Sequence, residues 1–179
     1  MTSEAIPTAT RTTESAATLA LLVFKVDDQL YGLPVISVVR IIEMVTITPL
    51  PGAPEVIEGI INLHGKAVPI MDLRRCFNLL PCPYGLHTPI ILVDLISHDY
   101  ILGLIVDTVE DVLEVSVDDL ELTDTIVPTE LIAQMATRAA YLAGVAKVDW
   151  RFILVLNVQA LLSPTVQGQL SRVLGMKDE

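Results

Sequence analysis

One block of this chain is present twice, and that repetition narrows the possible folds more than any other feature. Gly59-Ile60-Ile61-Asn62-Leu63-His64-Gly65-Lys66-Ala67-Val68-Pro69-Ile70-Met71-Asp72-Leu73 aligns without a gap on Gly144-Val145-Ala146-Lys147-Val148-Asp149-Trp150-Arg151-Phe152-Ile153-Leu154-Val155-Leu156-Asn157-Val158. The leading glycine, the apolar positions and a basic residue after the turn coincide. An upstream block behaves the same way, residues 32–43 aligning on residues 103–114 from Gly32/Gly103 to Glu43/Glu114. Two gapless blocks in the same order indicate duplication rather than the chance likeness of Val/Ile-rich hairpins.

Each copy of the block is predicted to be strand, tight turn, strand. Asn62 and Gly65 are turn-type residues flanking Leu63-His64, which displays His64 at the tip. Pro69 has no N–H to give a ladder, so it suits an edge strand or a bulge better than a central strand. The second copy puts Asp149-Trp150 where the first puts His64-Gly65. The two tips therefore differ in chemistry while their scaffolds agree.

The remaining elements follow from apolar runs and their breakers. Residues 1–18 have no periodicity and are expected to form a flexible tail. Strands are expected over 21–26 and 30–35, with 36–44 continuing through one helical turn. Pro49, Pro51 and Pro54 force an extended connection. Asp72 caps a short helix over 72–79. A loop with Pro81, Pro83 and Gly85 then divides the chain. Strands follow over 89–96, 100–106 and 109–117, with Ser97-His98-Asp99 as a polar connection. A helix is expected over 128–140 and a hairpin over 143–148 and 151–158. Ser163-Pro164 starts a last helix with Val166, Leu170, Val173 and Leu174 on one face. That stripe either packs on its own barrel or, left exposed, promotes self-association.

Two similar, mainly all-β halves, 19–79 and 89–162, suggest two small barrels packed on a shared apolar seam. Closure would remove the exposed edges that strand-rich chains otherwise carry. Whether the halves exchange strands is open from the sequence. With 52% hydrophobic but only 4% aromatic residues, Val, Ile and Leu must fill the interior.

Charge and composition exclude several function classes. A net charge of −11 argues against nucleic acid or an anionic membrane as partner. No apolar run approaches the roughly 20 residues that cross a bilayer. The N-terminal stretch lacks the basic start and apolar core of a secretory signal, and Cys76 and Cys82 are the only cysteines, which points to a reduced, cytoplasmic setting. No Lys or Arg lies between Arg75 and Arg138, while acids recur from Asp94 to Glu130. That acidic half is either a solvated surface or a face that meets a basic partner.

Catalytic constellations do not emerge. The histidines His64, His87 and His98 stand near no nucleophile with an orienting acid, and phosphate- and dinucleotide-binding glycine motifs are lacking. Cys76, Cys82 and His87 have wide, proline-broken spacing that does not make a tetrahedral zinc site, so a buried Cys76 and an incidental Cys82 are expected. No cofactor or metal is expected. A rigid β scaffold with polar turn tips suits protein binding. The apolar content also admits a small apolar-ligand carrier, although small barrels are usually filled by side chains.

Several motifs together resemble the chemotaxis coupling proteins, the CheW-like family. They are Tyr31-Gly32-Leu33-Pro34-Val35 after Phe24, Leu50-Pro51-Gly52-Ala53-Pro54, Glu58-Gly59-Ile60-Ile61-Asn62-Leu63-His64-Gly65, Val68-Pro69-Ile70-Met71-Asp72-Leu73-Arg74, and Gly103-Leu104-Ile105-Val106-Asp107 with Val109 and Val112-Leu113. The likeness spans about 19–162, leaving 163–179 as a C-terminal helix and tail. It implies two SH3-like five-stranded β-barrel subdomains and a non-catalytic adaptor. Its implied partners are a chemoreceptor's cytoplasmic helical tip and the regulatory domain of a CheA-type histidine kinase, which shares the fold. Recruitment would be to membrane receptor arrays, without membrane insertion. The candidate receptor-binding residues are Val38, Arg40, Gly59, Asn62, His64 and Gly65; no residues are assigned to the kinase. The family usually has an arginine at the His64 position and an acid at the Arg40 position, both near receptor docking and an internal acid–base pair. An Arg40–His64 pair would be repulsive below about pH 6.5, where His charges. Such changes imply a different receptor or array, or a merely tolerated polar tip at His64.

Overall fold

The computed structural model describes residues 16–95, 100–122 and 140–175. Their strands are β1 (Thr18–Val26), β2 (Gln29–Pro34), β3 (Val38–Glu43), β4 (Ile57–Leu63), β5 (Lys66–Asp72), β6 (Pro89–Leu95), β7 (Tyr100–Ile105), β8 (Thr108–Ser116), β9 (Leu120–Leu122), β10 (Leu142–Val148) and β11 (Arg151–Leu156). Three helices accompany them: α1 (Leu73–Cys76), α2 (Val158–Leu161) and α3 (Pro164–Leu174). Single 3-10 turns at Val35–Ser37 and Val117–Asp119 precede β3 and β9. The helix expected over 128–140 and the connection Ser97-His98-Asp99 lie outside the described residues.

The strands form two sheets, a six-stranded one in the order β8-β1-β2-β11-β10-β9 and a five-stranded one in the order β3-β6-β7-β5-β4. Neither sheet coincides with a half of the sequence. β1 and β2 belong with β8 to β11, whereas β6 and β7 belong with β3 to β5. Each exchanged hairpin is held on both sides, by an antiparallel pairing, β1 on β8 and β6 on β3, and by a parallel one, β2 on β11 at Tyr31/Leu154 and Gly32/Val155, and β7 on β5 at Gly103/Ile70 and Leu104/Met71. The two parallel pairings are equivalent positions of the repeat. Equivalent too are the bridge Thr48/Ile60, which follows β3, and the pair Glu121/Val145 of β9 and β10.

Alternation along the central strands explains their unbroken apolar runs. Leu21 and Val23 point into a cluster with Val115, Ala146, Ile153 and Val155 inside the six-stranded barrel. Their neighbours Leu22 and Phe24 point the other way, into a larger cluster with Tyr31, Met71, Leu73, Ile91, Leu104, Leu154 and Leu156. Ile90 and Leu92 likewise fill the second barrel with Ile61, Val68, Ile70 and Ile105, while Ile91 and Val93 face the common seam. A strand buried on both faces reads as a continuous Val/Ile/Leu run. Three of the aromatics are buried in this seam, where Tyr31 stacks on Phe24 at 5.9 Å and on Phe77 at 5.0 Å.

The structure corrects several local expectations. Thr18 is the first residue of β1, paired with Ser116, not tail. The helix after Asp72 stops at Cys76, and Val158 opens α2 rather than ending a strand. Asn157 accepts from the Gln159 N–H as Asp72 accepts from the Arg74 N–H, so the caps also repeat. Pro69 lies in β5, an interior strand between β7 and β4. The parallel ladder to β7 begins only at Ile70, so the missing N–H falls just outside it. In α3, Ser163 Oγ accepts from the Val166 N–H and Leu170 is buried, which docks the stripe on the protein's own seam.

Candidate partner-binding surfaces

The β4–β5 turn is shaped by the residues the sequence pointed to. Asn62 Oδ1 accepts from the Gly65 N–H at 2.8 Å. His64 and Gly65 both have left-handed backbone, φ 50° and 85°, as a two-residue primed turn requires. Histidine is one of the few non-glycine residues enriched in that region, so the backbone itself favours His64 there. Its side chain is exposed. Asp149 holds the same conformation in the second copy, φ 54°.

Gly59 has a different function. It is buried, and a Cβ there would run into the Thr48 carbonyl oxygen and lie 2.8 Å from Ile47 Cγ2. The segment after β3 crosses β4 at this point. Thr48 and Ile60 exchange two backbone hydrogen bonds of 2.9 Å, which ties that segment to β4.

Val38 and Arg40 lie on β3, an edge strand of the five-stranded sheet, with a bulge between them. Val38 is half-buried and Arg40 exposed, as are Val39 and Ile41. Among the described residues no hydrogen bond or ion pair joins Arg40 to His64. The pair suggested by the sequence is not formed. A cleft of about 580 Å³ nevertheless brings their neighbours together, lined by Val39 from β3, Lys66, Ala67 and Val68 from β5, and Leu174 from α3. A smaller one of about 230 Å³ contains Asn62 and Gly65 themselves.

A third groove, of about 380 Å³, runs between the barrels. Ile41, Ile42 and Glu43 of β3 form one wall with His87 and Pro89, and Asp107, Thr108 and Val109 at the start of β8 form the other. His87 Nδ1 lies 2.8 Å from Glu43 Oε1 at its exposed rim. Val39 of β3 and Val112 of β8, on the two strands that supply the walls, are also exposed.

Behind the second wall is a cluster of charges that the sequence did not single out. Arg74 Nε and Nη2 donate to Asp107 Oδ1 and Oδ2 at 2.9 and 2.5 Å, a two-pronged pairing that matches guanidinium to carboxylate. Nη1 donates to the Leu80 carbonyl at 3.0 Å, and the Asp27 N–H donates to Asp107 Oδ2 at 2.7 Å. Burial alone would push the Asp107 carboxyl up, but the bonds from Arg74 and the Asp27 N–H outweigh it and hold the group below the usual carboxylate range. The Asp107 bond holds Arg74 above the usual guanidinium value. Both residues stand in quoted motifs, and their polarity inside apolar blocks was the only sequence signal. Trp150, at the second hairpin's tip as the repeat placed it, and Phe152 beside it are 85% and 59% exposed at the β10–β11 end of the six-stranded barrel.

The cysteines separate by environment. Cys76 is buried in the seam and its thiol is pushed up to about 11, chiefly by burial, whereas Cys82 is exposed. No group of three or more His, Cys, Asp or Glu stands close enough to hold a metal among the described residues.

Two barrels sharing one seam, with apolar grooves and side chains filling their interiors, define a protein-interaction module. Comparison with known proteins specifies which. The CheW-like domain family matches residues 20–165. The chain is 32% identical over 147 residues to a probable chemotaxis protein CheW of Rhizobium etli, covering 81% of this chain and 88% of that protein. It is 29% identical over 145 residues to the chemotaxis protein CheW of Treponema pallidum, covering 80% and 81%. The crystal structure of the scaffolding protein TtCheW from Thermoanaerobacter tengcongensis superimposes with a TM-score of 0.71 at 30% identity, over 84% of this chain and 96% of that one. The chain belongs to the CheW-like family of chemotaxis scaffolds.

Proposed function

We propose that this protein is a non-catalytic adaptor that joins a chemoreceptor's cytoplasmic helical tip to the regulatory domain of a CheA-type histidine kinase. It acts at the cytoplasmic side of receptor arrays. The observation that carries this reading is the inter-barrel groove. Ile41, Ile42, Pro89 and Val109 give it apolar walls, and exposed Val39 and Val112 lie on the same two strands, apolar surface that suits an amphipathic helix. Val38 and Arg40 on β3 adjoin the groove and set part of the receptor surface. Asn62, His64 and Gly65 contribute from the β4–β5 turn, and Gly59 lets the segment after β3 cross β4 closely. Barrel-against-barrel pairing serves the kinase. The carrier alternative has no support, since apolar side chains fill both barrel interiors.

Calorimetry with the cognate kinase regulatory domain and with a receptor cytoplasmic fragment tests the proposal. Binding to both is expected; folded protein that binds neither at tens of micromolar refutes it. His64→Ala and Arg40→Ala are expected to weaken receptor binding with the melting temperature unchanged, and unchanged receptor affinity would remove these two residues from the surface.

A further inference from the structure

The chain crosses between the sheets at two equivalent places, from β2 to β3 and from β7 to β8. In the gapless repeat Asp107 of the second crossover corresponds to Ile36 of the first, and Arg74 after β5 corresponds to Gln159 after β11. Ile36 is 87% exposed, so the first crossover is built with no carboxylate at this position. The fold thus contains its own control. A barrel closes and its helix caps without the ion pair, so the pair at the second crossover is not a requirement of the architecture.

We infer that Arg74 is a positioning residue for the inter-barrel groove, fixing the wall that β8 supplies and thereby setting affinity for the receptor helix. This rests on the adaptor reading. Arg74 starts from α1, which follows β5 of the five-stranded sheet. It reaches Asp107 at the crossover, and Asp107 in turn accepts from the Asp27 N–H in the β1–β2 turn of the other sheet. The Asp107 N–H donates to the Lys25 carbonyl at 3.0 Å, and Arg74 Nη2 stands 3.7 Å from Asp27 Oδ1. One planar, little-exposed guanidinium therefore ties together α1, the crossover and the far turn. The residues that continue from Asp107, Thr108 and Val109, are the groove wall facing Ile41 and Glu43. A fork donor fixes orientation as well as distance, which a lysine at this position would not do. Holding one wall in place beforehand removes an ordering cost that the bound helix would otherwise meet.

The test is Arg74→Gln, which gives the second crossover the residue found at the first. The variant is expected to fold, with a cooperative melt, and to bind the kinase regulatory domain as the wild type does. Its affinity for a chemoreceptor cytoplasmic fragment should fall about tenfold, the scale of one charge-assisted pairing. New exchange broadening is expected at the Val109 and Ile41 methyl groups in relaxation-dispersion spectra of the free protein. Arg74→Lys should fall between the two, keeping the charge without the fork. Receptor affinity within twofold of wild type, an equal loss of kinase binding, or failure to fold would each overturn the inference. Wild-type protein that does not bind the receptor fragment refutes the adaptor reading instead, while the methyl spectra still decide whether the clamp holds the wall.

Discussion

Replacing Gly59 by alanine distinguishes a scaffold residue from an interface residue, since the family resemblance places Gly59 on the receptor surface and the structure buries it. The added methyl would meet the Thr48 carbonyl oxygen and Ile47 Cγ2, and backbone, unlike a side-chain tip, has no rotamer to escape into. Keeping β4 in place then means lifting the crossing segment off it. That breaks the two Thr48–Ile60 hydrogen bonds, each contributing about 1 kcal/mol net. Overpacking at a closed contact adds about 1–3 kcal/mol. The total is about 4 kcal/mol, which for a chain of this size lowers the melting temperature by about 8–16 °C. Gly65→Ala is the control: nothing lies within 4 Å of its added Cβ, and only the left-handed backbone is penalised, by about 1–2 kcal/mol. Scanning calorimetry of both variants, followed by receptor binding well below their melting temperatures, reads the difference. A Gly59→Ala variant that melts within 2 °C of wild type would refute the steric argument. If it also lost receptor affinity, Gly59 would be an interface residue after all.

Two further outcomes follow from titratable groups. In native protein at pH 8 a disulfide reagent should modify Cys82 alone, with Cys76 reacting only on unfolding, because burial pushes its thiol up to about 11; two fast thiols would place Cys76 at the surface. The Asp107 carboxyl is depressed in the folded state, so its contribution to stability is complete above the ordinary carboxylate value of about 3.9 and is lost as pH falls through the folded value below it. Urea denaturation of wild type and Asp107→Asn should therefore show a constant gap from pH 8 to about 5 that closes on further acidification. A gap that widens in acid contradicts the pairing.

The repeat and the strands were legible in the sequence because both rest on local pattern. That Leu21-Leu22-Val23-Phe24 and Ile90-Ile91-Leu92-Val93 each serve two cores became plain only in the structure. The β4–β5 turn was legible from Asn62 and Gly65. What stayed hidden depends on contacts far apart along the chain. The parallel pairings that carry β1–β2 and β6–β7 into the opposite sheets have no local signature, and Pro69 looked like an edge residue for the same reason. Arg74 and Asp107 stand 33 positions apart in separate motifs, and only the fold aligns fork with carboxylate. Val158 is apolar enough to extend a strand; the Asn157 cap turns it into helix.

The exchanged hairpins also govern the order in which this protein becomes stable during synthesis. The N-terminal hairpin β1–β2 emerges first, yet its neighbours are β8 and β11, so it has no further strand to pair with until residue 116 has left the ribosome, and its sheet is complete only after residue 156. The five-stranded barrel needs only residues up to Ile105 and can close earlier, around β3 to β7. Until the last hairpin arrives, the apolar seam that this barrel presents is uncovered, with the waiting β1–β2 hairpin as its nearest shield. Distant pairing of this kind slows folding and lengthens exposure to aggregation. Newly made chains should accordingly depend on chaperones most while β8 to β11 are still being added, and truncations after Ile105 should be insoluble rather than half-functional.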